Sequence, residues 1–213
     1  MDIRLSGIKV IIPNTDKVLF RIQDFEVPHG AKILIHGRSG IGKTTLLHLI
    51  AGLFLPMTGK VSVGRHDLTI LKESKRCELR RKYFGMLLQK LNLIDHLTGL
   101  ENIQLGLFDK KDSGEKARNA LRSVGMDSLA FQMSGNMSLG EQQRLAMARV
   151  LAAKPMIVLL DEPTSSLDEE NAELVMAALF SLPPETTFIV VSHDQRIRSR
   201  FSQNYAFDRL VSN

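Results

Sequence analysis

The ten residues "HGRSGIGKTT", His36 to Thr45, include three glycines, a lysine and two threonines. Gly37, Gly42, Lys43 and Thr44 stand at the spacing G-x-x-x-x-G-K-[ST], a pattern suited to a polyphosphate. In such a loop the backbone N–H groups of Gly40, Gly42, Lys43 and their neighbours face the phosphates, and the positive end of the following helix adds to the attraction. The Lys43 ammonium contacts the terminal phosphates, and the Thr44 hydroxyl is placed to bind Mg²⁺. Arg38, Ser39, Ile41 and Thr45 complete the cradle. This chemistry reads as recognition of a nucleoside triphosphate, and the loop by itself leaves open what the energy drives.

Three further sites carry polar residues at the ends of apolar runs. "IVLLDEP" ends in Asp161 and Glu162. Asp161 can hold Mg²⁺, and Glu162 is then placed to polarise an attacking water. An exposed acidic turn before Pro163 is the plainer reading of the same residues. Gln89 ends "YFGMLLQ" and His193 ends "TFIVVSH". Gln89 can orient Mg²⁺ and water, and His193 can bond the γ-phosphate or position Glu162. Elsewhere, "MSLGEQQRLAMARVLA" opens with Ser138 and Glu141 at capping-box spacing. Gly140 allows close backbone approach to an anion there, although on this segment alone a well-capped surface helix is the preferred reading.

These residues need elements to hold them. "KILIH", "YFGMLLQ", "MIVLLDE" and "TFIVVSH" are short, nearly continuous apolar runs, which predicts strands of a parallel sheet buried on both faces. Ligands of such sheets bind beyond the C-terminal strand ends, and each of these four runs ends in a candidate residue. The first thirty residues alternate instead, from Ile3 and Leu5 through Ile8, Val10 and Ile12 to Phe25 and Val27. That predicts short antiparallel strands, broken at Pro13-Asn14 and at Pro28-His29-Gly30. Residues 90 to 153 show helical spacing and no strand run, consistent with a helical insert. The expected fold is α/β: a P-loop core with a mainly parallel sheet, an N-terminal antiparallel β region over 1–30 and a helical region over about 90–153, all within one domain of 1–213.

Composition bounds the rest. The chain has 213 residues, 44% hydrophobic and 24% charged, which suits an ordinary globular domain. Its net charge of +5 is compatible with phosphate ligands, nucleic acid or a membrane surface and selects none of them. One cysteine, Cys77, excludes an internal disulfide and fits a reducing compartment. The N-terminus has no signal-peptide core. The longest apolar stretch, Leu46 to Leu55, is too short to span a membrane and predicts a buried helix. The basic run "KESKRCELRRK" predicts a helix with a solvated face, with contact to anionic lipid or a partner as the other reading. Arg196, Arg198 and Arg200 invite the same two readings.

Taken together, the motifs resemble the ATP-binding subunits of ABC transporters, and the likeness covers nearly the whole chain. Gly37 to Thr45 resembles the Walker A loop and Gln89 the Q-loop glutamine. "MSLGEQQR", Met137 to Arg144, resembles the family signature. Asp161 and Glu162 match Walker B and the catalytic glutamate, "SSLD" from Ser165 resembles the D-loop, and His193 resembles the switch histidine. The likeness is greatest to the bacterial lipoprotein-release and macrolide-export group. It implies an ATPase requiring ATP and Mg²⁺, in which two copies pair head to tail. Ser138, Gly140 and Glu141 of one copy then contact nucleotide held by the other. It also implies a separate transmembrane permease and a cytoplasmic position on the inner face of the membrane. The permease would dock near Gln89 and the following segment, where Leu91, Leu93, Ile94 and Leu97 either line the groove or pack the helical region.

The sequence departs from the family pattern in two places that bear on chemistry. Leu139 replaces a signature glycine. No aromatic precedes Phe20, although members usually stack adenine on one near Val10 to Ile12, so an aliphatic contact is expected in its place. Two other functions compete with the transporter motor: a regulatory ATPase of the cell-division type acting on a membrane partner, and an ABC ATPase acting on nucleic acid. No aromatic-and-basic nucleic-acid platform stands out, so nucleic acid is not the expected partner.

Overall fold

The computed structural model describes residues 1–12 and 14–212. In chain order it runs β1 (Ile3–Ile11), β2 (Val18–Val27), β3 (Lys32–His36), α1 (Lys43–Ile50), β4 (Thr58–Val63) and β5 (His66–Asp67). There follow α2 (Glu73–Tyr83), β6 (Phe84–Leu87), α3 (Gly99–Gly106), α4 (Ser113–Ser123) and α5 (Leu139–Ala152). The chain ends with β7 (Ile157–Asp161), α6 (Glu169–Phe180), β8 (Thr187–Val191), β9 (Gln203–Ala206) and α7 (Phe207–Leu210).

The alternating N-terminal residues form an antiparallel pair in which apolar residues face one another: Ile3 with Val27, Leu5 with Phe25, Ile8 with Ile22, Val10 with Phe20. The apolar phase slips by one residue between Leu5 and Ile8, where Gly7 takes a φ of 61°. Of the two expected breaks, Pro13 lies outside the described residues. The sheet is not confined to residues 1–30. β4 and β5 join it from beyond α1, in the order β2-β1-β4-β5.

The four apolar runs become β3, β6, β7 and β8 of a parallel sheet ordered β6-β7-β8-β3-β9. β7 and β8 are buried at every residue. Their two-residue alternation feeds two cores. Leu34, Val158, Leu160, Phe188 and Val190 face α5 and α6, while Ile33, Ile35, Ile157, Leu159 and Ile189 face α1 and the antiparallel sheet. α3, α4 and α5 pack as a helical region, and Asn102 is buried among them. Its amide oxygen accepts from Ile94 N, and its two N–H groups are shared among three carbonyl oxygens and Ser134 Oγ, which fixes the loop before α3. Leu91 and Leu93 are half-buried against this helical core.

Two expectations need correction. The helix over the apolar stretch ends at Ile50, and Leu53 and Leu55 are exposed. Gly52 takes the left-handed conformation (φ 62°); its N–H donates to Leu49 O, and Leu53 N–H donates to His48 O. This is the paired bonding by which a glycine ends a helix. The basic helix α2 is also not simply solvated. Arg76 and Arg80 are largely covered and both bond Glu73. Arg80 donates to Gly52 O at 2.9 Å, placing its charge at the negative end of α1.

Candidate functional site

The loop after β3 opens into α1 with Gly42 as its N-cap, without a side-chain cap and without an acid in the first turn. Helices α3, α5 and α6 are capped by Thr98, Ser138 and Asp168. An uncapped helix start leaves its first N–H groups for an anion. Gly42 is obligatory here: its φ is 109°, and a Cβ would meet the Phe20 ring at 2.9 Å. Phe20 in turn packs edge-on against Phe207. Lys43 is buried, and its ammonium donates to Gly37 O (2.8 Å) and Arg38 O (2.7 Å), which centres a positive charge within the loop.

Across the cleft, Thr44 Oγ1 donates to Asp161 Oδ2 at 2.5 Å. Asp161 is 5% exposed. Burial raises its carboxyl pKa, with the neighbouring Glu162 charge adding to this and the Thr44 bond and Lys43 opposing it. Glu162 follows in the left-handed conformation, φ 51°. A non-glycine residue in that region stores strain and is a mark of sites where a side chain must be aimed. Its Oε2 accepts from Ser192 Oγ (2.8 Å) and from the His193 N–H (3.4 Å). Its Oε1 lies 2.7 Å from His193 Nδ1, which donates because an ionised carboxylate can only accept.

Three residues that the sequence reading missed complete this frame. Ser192 orients Glu162. Gln143 of α5 donates to Glu162 O at 2.9 Å and accepts from Ser166 N at 3.0 Å. Thr164 donates to Asp194 Oδ2 at 2.6 Å, and the Arg196 guanidinium holds that carboxyl down to about 2. Arg196 also donates to Thr164 O and Leu167 O, so this exposed guanidinium, solvated as expected, also serves as a structural clasp. Each of the three is buried and polar, the one signal that an amphipathic pattern read by eye passes over.

The resulting cleft, about 470 Å³, is lined by Ser39, Gly40 and Gly42 to Thr45 of the loop together with Gln89, Asp161 and Glu162. Gly37, Arg38 and His193 border a neighbouring cavity on the other side of the loop. Ile41 points into the core and serves the cradle through its backbone. Ile12 and Leu19 form an aliphatic wall of the main cleft, while Phe20 is fully buried. The residues Ser138, Gly140 and Glu141 do not line it. Ser138 and Glu141 form the expected reciprocal capping box, and the Ser138 backbone N–H bond lowers the Glu141 pKa. A Cβ on Gly140 would stand 3.1 Å from Ser166 O. Leu139 is 62% exposed.

Thr44 and Asp161 offer hard oxygen ligands, and Gln89 a further carbonyl oxygen on the same cleft. Among the described residues no group of three or more His, Cys, Asp or Glu forms a metal cage. A small set of oxygens suits Mg²⁺, which takes its remaining ligands from phosphate and water.

A phosphate cradle and an Asp–Glu pair, set on strand ends of one parallel sheet, define the molecule as a P-loop nucleoside triphosphatase. Within that class the chain belongs to the ABC transporter family, whose sequence profile matches residues 20–165. It is 39% identical over 186 residues to the lipoprotein-releasing system ATP-binding protein LolD of Legionella pneumophila (strain Paris), covering 84% of this chain and 82% of that one. To LolD of Francisella tularensis subsp. tularensis (strain FSC 198) it is 34% identical over 204 residues, covering 92% and 87%. Among solved structures, a dimeric bacterial ABC transporter cassette, MJ0796, superposes with a TM-score of 0.88 at 28% identity, covering 96% and 94%. A dimeric post-hydrolysis state of MJ0796 bound to ADP and Pi gives 0.84 at 29% identity, covering 90% and 88%. The chain is thus an ATP-binding, ATP-hydrolysing subunit of the transporter type, and its α/β architecture is that of these cassettes.

Proposed function

We propose that the chain is the motor of a lipoprotein-release-type transporter, working as a head-to-tail pair on a separate membrane permease. The observation that carries this is the division of the motifs. One chain gathers Ser39, Gly40, Gly42, Lys43, Thr44, Thr45, Gln89, Asp161 and Glu162 around its cleft and leaves Ser138 and Gly140 outside it. A second copy supplies the missing corner: Ser138 and Gly140, with Glu141 behind them, meet the γ-phosphate bound by the first.

Glu162 is the general base. Its carboxylate takes the proton of a water whose oxygen attacks the γ-phosphorus, and the bond to the ADP oxygen breaks. Ser192 and His193 hold both carboxylate oxygens, so the base is oriented before substrate arrives. Gln89 positions the water. Lys43 and the first amides of α1 hold the β- and γ-phosphates. When bound, Mg²⁺ neutralises phosphate charge, and Thr44, Asp161 and Gln89 are the residues that would hold it. Ile12 and Leu19 receive the adenine in place of an aromatic stack.

Among the described residues no helix is long and apolar enough to cross a membrane. In this reading membrane attachment comes through the permease, on the inner face of the membrane. Its docking place is a groove of about 280 Å³ beside Gln89, with Phe84, Met86, Leu88 and Val150 as apolar lining.

Glu162→Gln tests the reading. The variant should lose ATP hydrolysis and accumulate as an ATP-bound dimer by size-exclusion chromatography. Wild-type turnover in the variant, or full activity from a monomer, would overturn it.

A further inference from the structure

The stretch after Gln89 belongs to no helix or strand until Gly99. It is gripped from the far end of α5. Arg149 Nη2 donates to Leu91 O at 2.5 Å, and Nη1 donates to Asn92 O at 2.7 Å. Asn92 takes the left-handed conformation, φ 51°, where these two successive carbonyls meet one guanidinium. The Arg149 stem fits because residue 106 is glycine: a Cβ there would stand 3.0 Å from both Arg149 Cγ and Cδ.

This use of an arginine is unusual in its surroundings. Burial lowers the pKa of Arg149, yet a guanidinium stays charged in proteins. None of the ion pairs among the described residues includes it. Its compensation is the two loop carbonyls and the negative end of α5, where it lies in the last turn. A covered cation without a carboxylate is costly, and here it is directed at the backbone of a segment whose neighbours Gln89 and Asn92 are exposed. Helix α5 carries Ser138 at its other end, about 16 Å away along the axis at 1.5 Å per residue. Arg149 also lines the groove beside Gln89.

We infer that Arg149 is a positioning residue for hydrolysis: its forked grip on Leu91 O and Asn92 O fastens the Gln89 segment to α5, so that Gln89 and the Ser138 corner move as parts of one body. The inference rests on the roles given above to Gln89 and Ser138. Lysine keeps the charge and most of the stem but lacks the planar fork. Methionine keeps only the stem.

The test compares Arg149→Lys, Arg149→Met and Gln89→Ala in the full chain, by steady-state ATPase kinetics and hydrogen exchange. Arg149→Lys should lower kcat by about tenfold to a hundredfold, the scale of a small misplacement of a positioned group, with KM for ATP unchanged within about twofold. Exchange should quicken over residues 89–93 while β7 and α1 keep wild-type protection, and Arg149→Met should show the same pattern more strongly. Unchanged exchange over 89–93 would overturn the inference, as would loss of protection throughout β7 with kcat and KM moving together. The Gln89→Ala arm separates the two ideas. If it leaves kcat intact, the role of Gln89 fails; if it lowers kcat and Arg149→Lys does not, only the grip fails.

Discussion

Glu162 and His193 meet carboxylate to imidazole, Oε1 to Nδ1 at 2.7 Å, while the other carboxylate oxygen is held by Ser192. The two residues arrive from adjacent strands of the parallel sheet, β7 and β8. The Glu162 side chain is therefore aimed by its neighbour strand, and its own backbone is bent at φ 51° to allow this.

That pairing separates orientation from proton transfer. His193→Ala should lower kcat by about a hundredfold or more, the range of a compromised general base, with ATP affinity nearly unchanged. Ser192→Ala removes one hydrogen bond of about 1 kcal/mol, so a loss nearer fivefold is expected. Steady-state kcat measured beside equilibrium ATP binding checks both. A His193→Ala variant that binds ATP poorly but turns over normally would place His193 on the nucleotide rather than on the base.

The aliphatic wall of Ile12 and Leu19 makes a second prediction. Phe20 cannot swing out to stack on adenine, because it is fully buried between Gly42 and Phe207. Ile12→Tyr should tighten ATP binding by about 0.5–1.5 kcal/mol, the worth of an aromatic pair beyond area, which is roughly two- to twelvefold. The ratio of ATP to GTP affinity should rise as well. Binding titrations with both nucleotides decide this, and equal affinities in variant and wild type would remove adenine from this wall.

How far the sequence revealed the molecule follows from the range of each signal. The P-loop and the Asp161–Glu162 pair were legible because their parts are contiguous and their flanking strands are buried on both faces. β9 was not, because "QNYA" is a half-exposed edge strand with no apolar run. β4, "TGKVSV", alternates only over its second half, the first three residues being exposed. Gln143 was invisible as a site residue because its partners Glu162 and Ser166 stand 19 and 23 positions away. Arg76 and Arg80 read as solvated because composition does not reveal that the end of α1 lies beside them.

Asp194 carries an acid-stability prediction. Its folded pKa of about 2 lies below the ordinary 3.8, chiefly because Arg196 bonds it. A depressed carboxylate contributes stability above the unfolded value and loses it as pH falls toward the folded one. The contribution is thus complete above about pH 4 and gone near pH 2. Asp194→Asn should cost roughly 1.5–3 kcal/mol near neutrality, the worth of a hydrogen bond to a charged group. Urea midpoints measured from pH 7 down to pH 3 should show the gap between variant and wild type closing only below about pH 4. A gap independent of pH would mean that the carboxylate's charge plays no part.

Leu139 stands at the first turn of α5 with 62% of its surface exposed, next to Ser138 and Gly140. Gly140 is pressed against Ser166 O, so the helix start is fixed, and Leu139 is not among the residues that line its own chain's cleft. In a head-to-tail pair this corner is covered by the second copy, and covering a leucine side chain fully is worth about 1.5–3 kcal/mol. Leu139→Gly should therefore weaken ATP-dependent dimerisation by about tenfold or more. ATP binding to the monomer should stay as in wild type, because Leu139 does not line that cleft. Sedimentation measurements in the Glu162→Gln background hold the dimer in its ATP-bound state and isolate the association step. A tighter dimer in the glycine variant would show that Leu139 obstructs closure, reversing the sign of the argument.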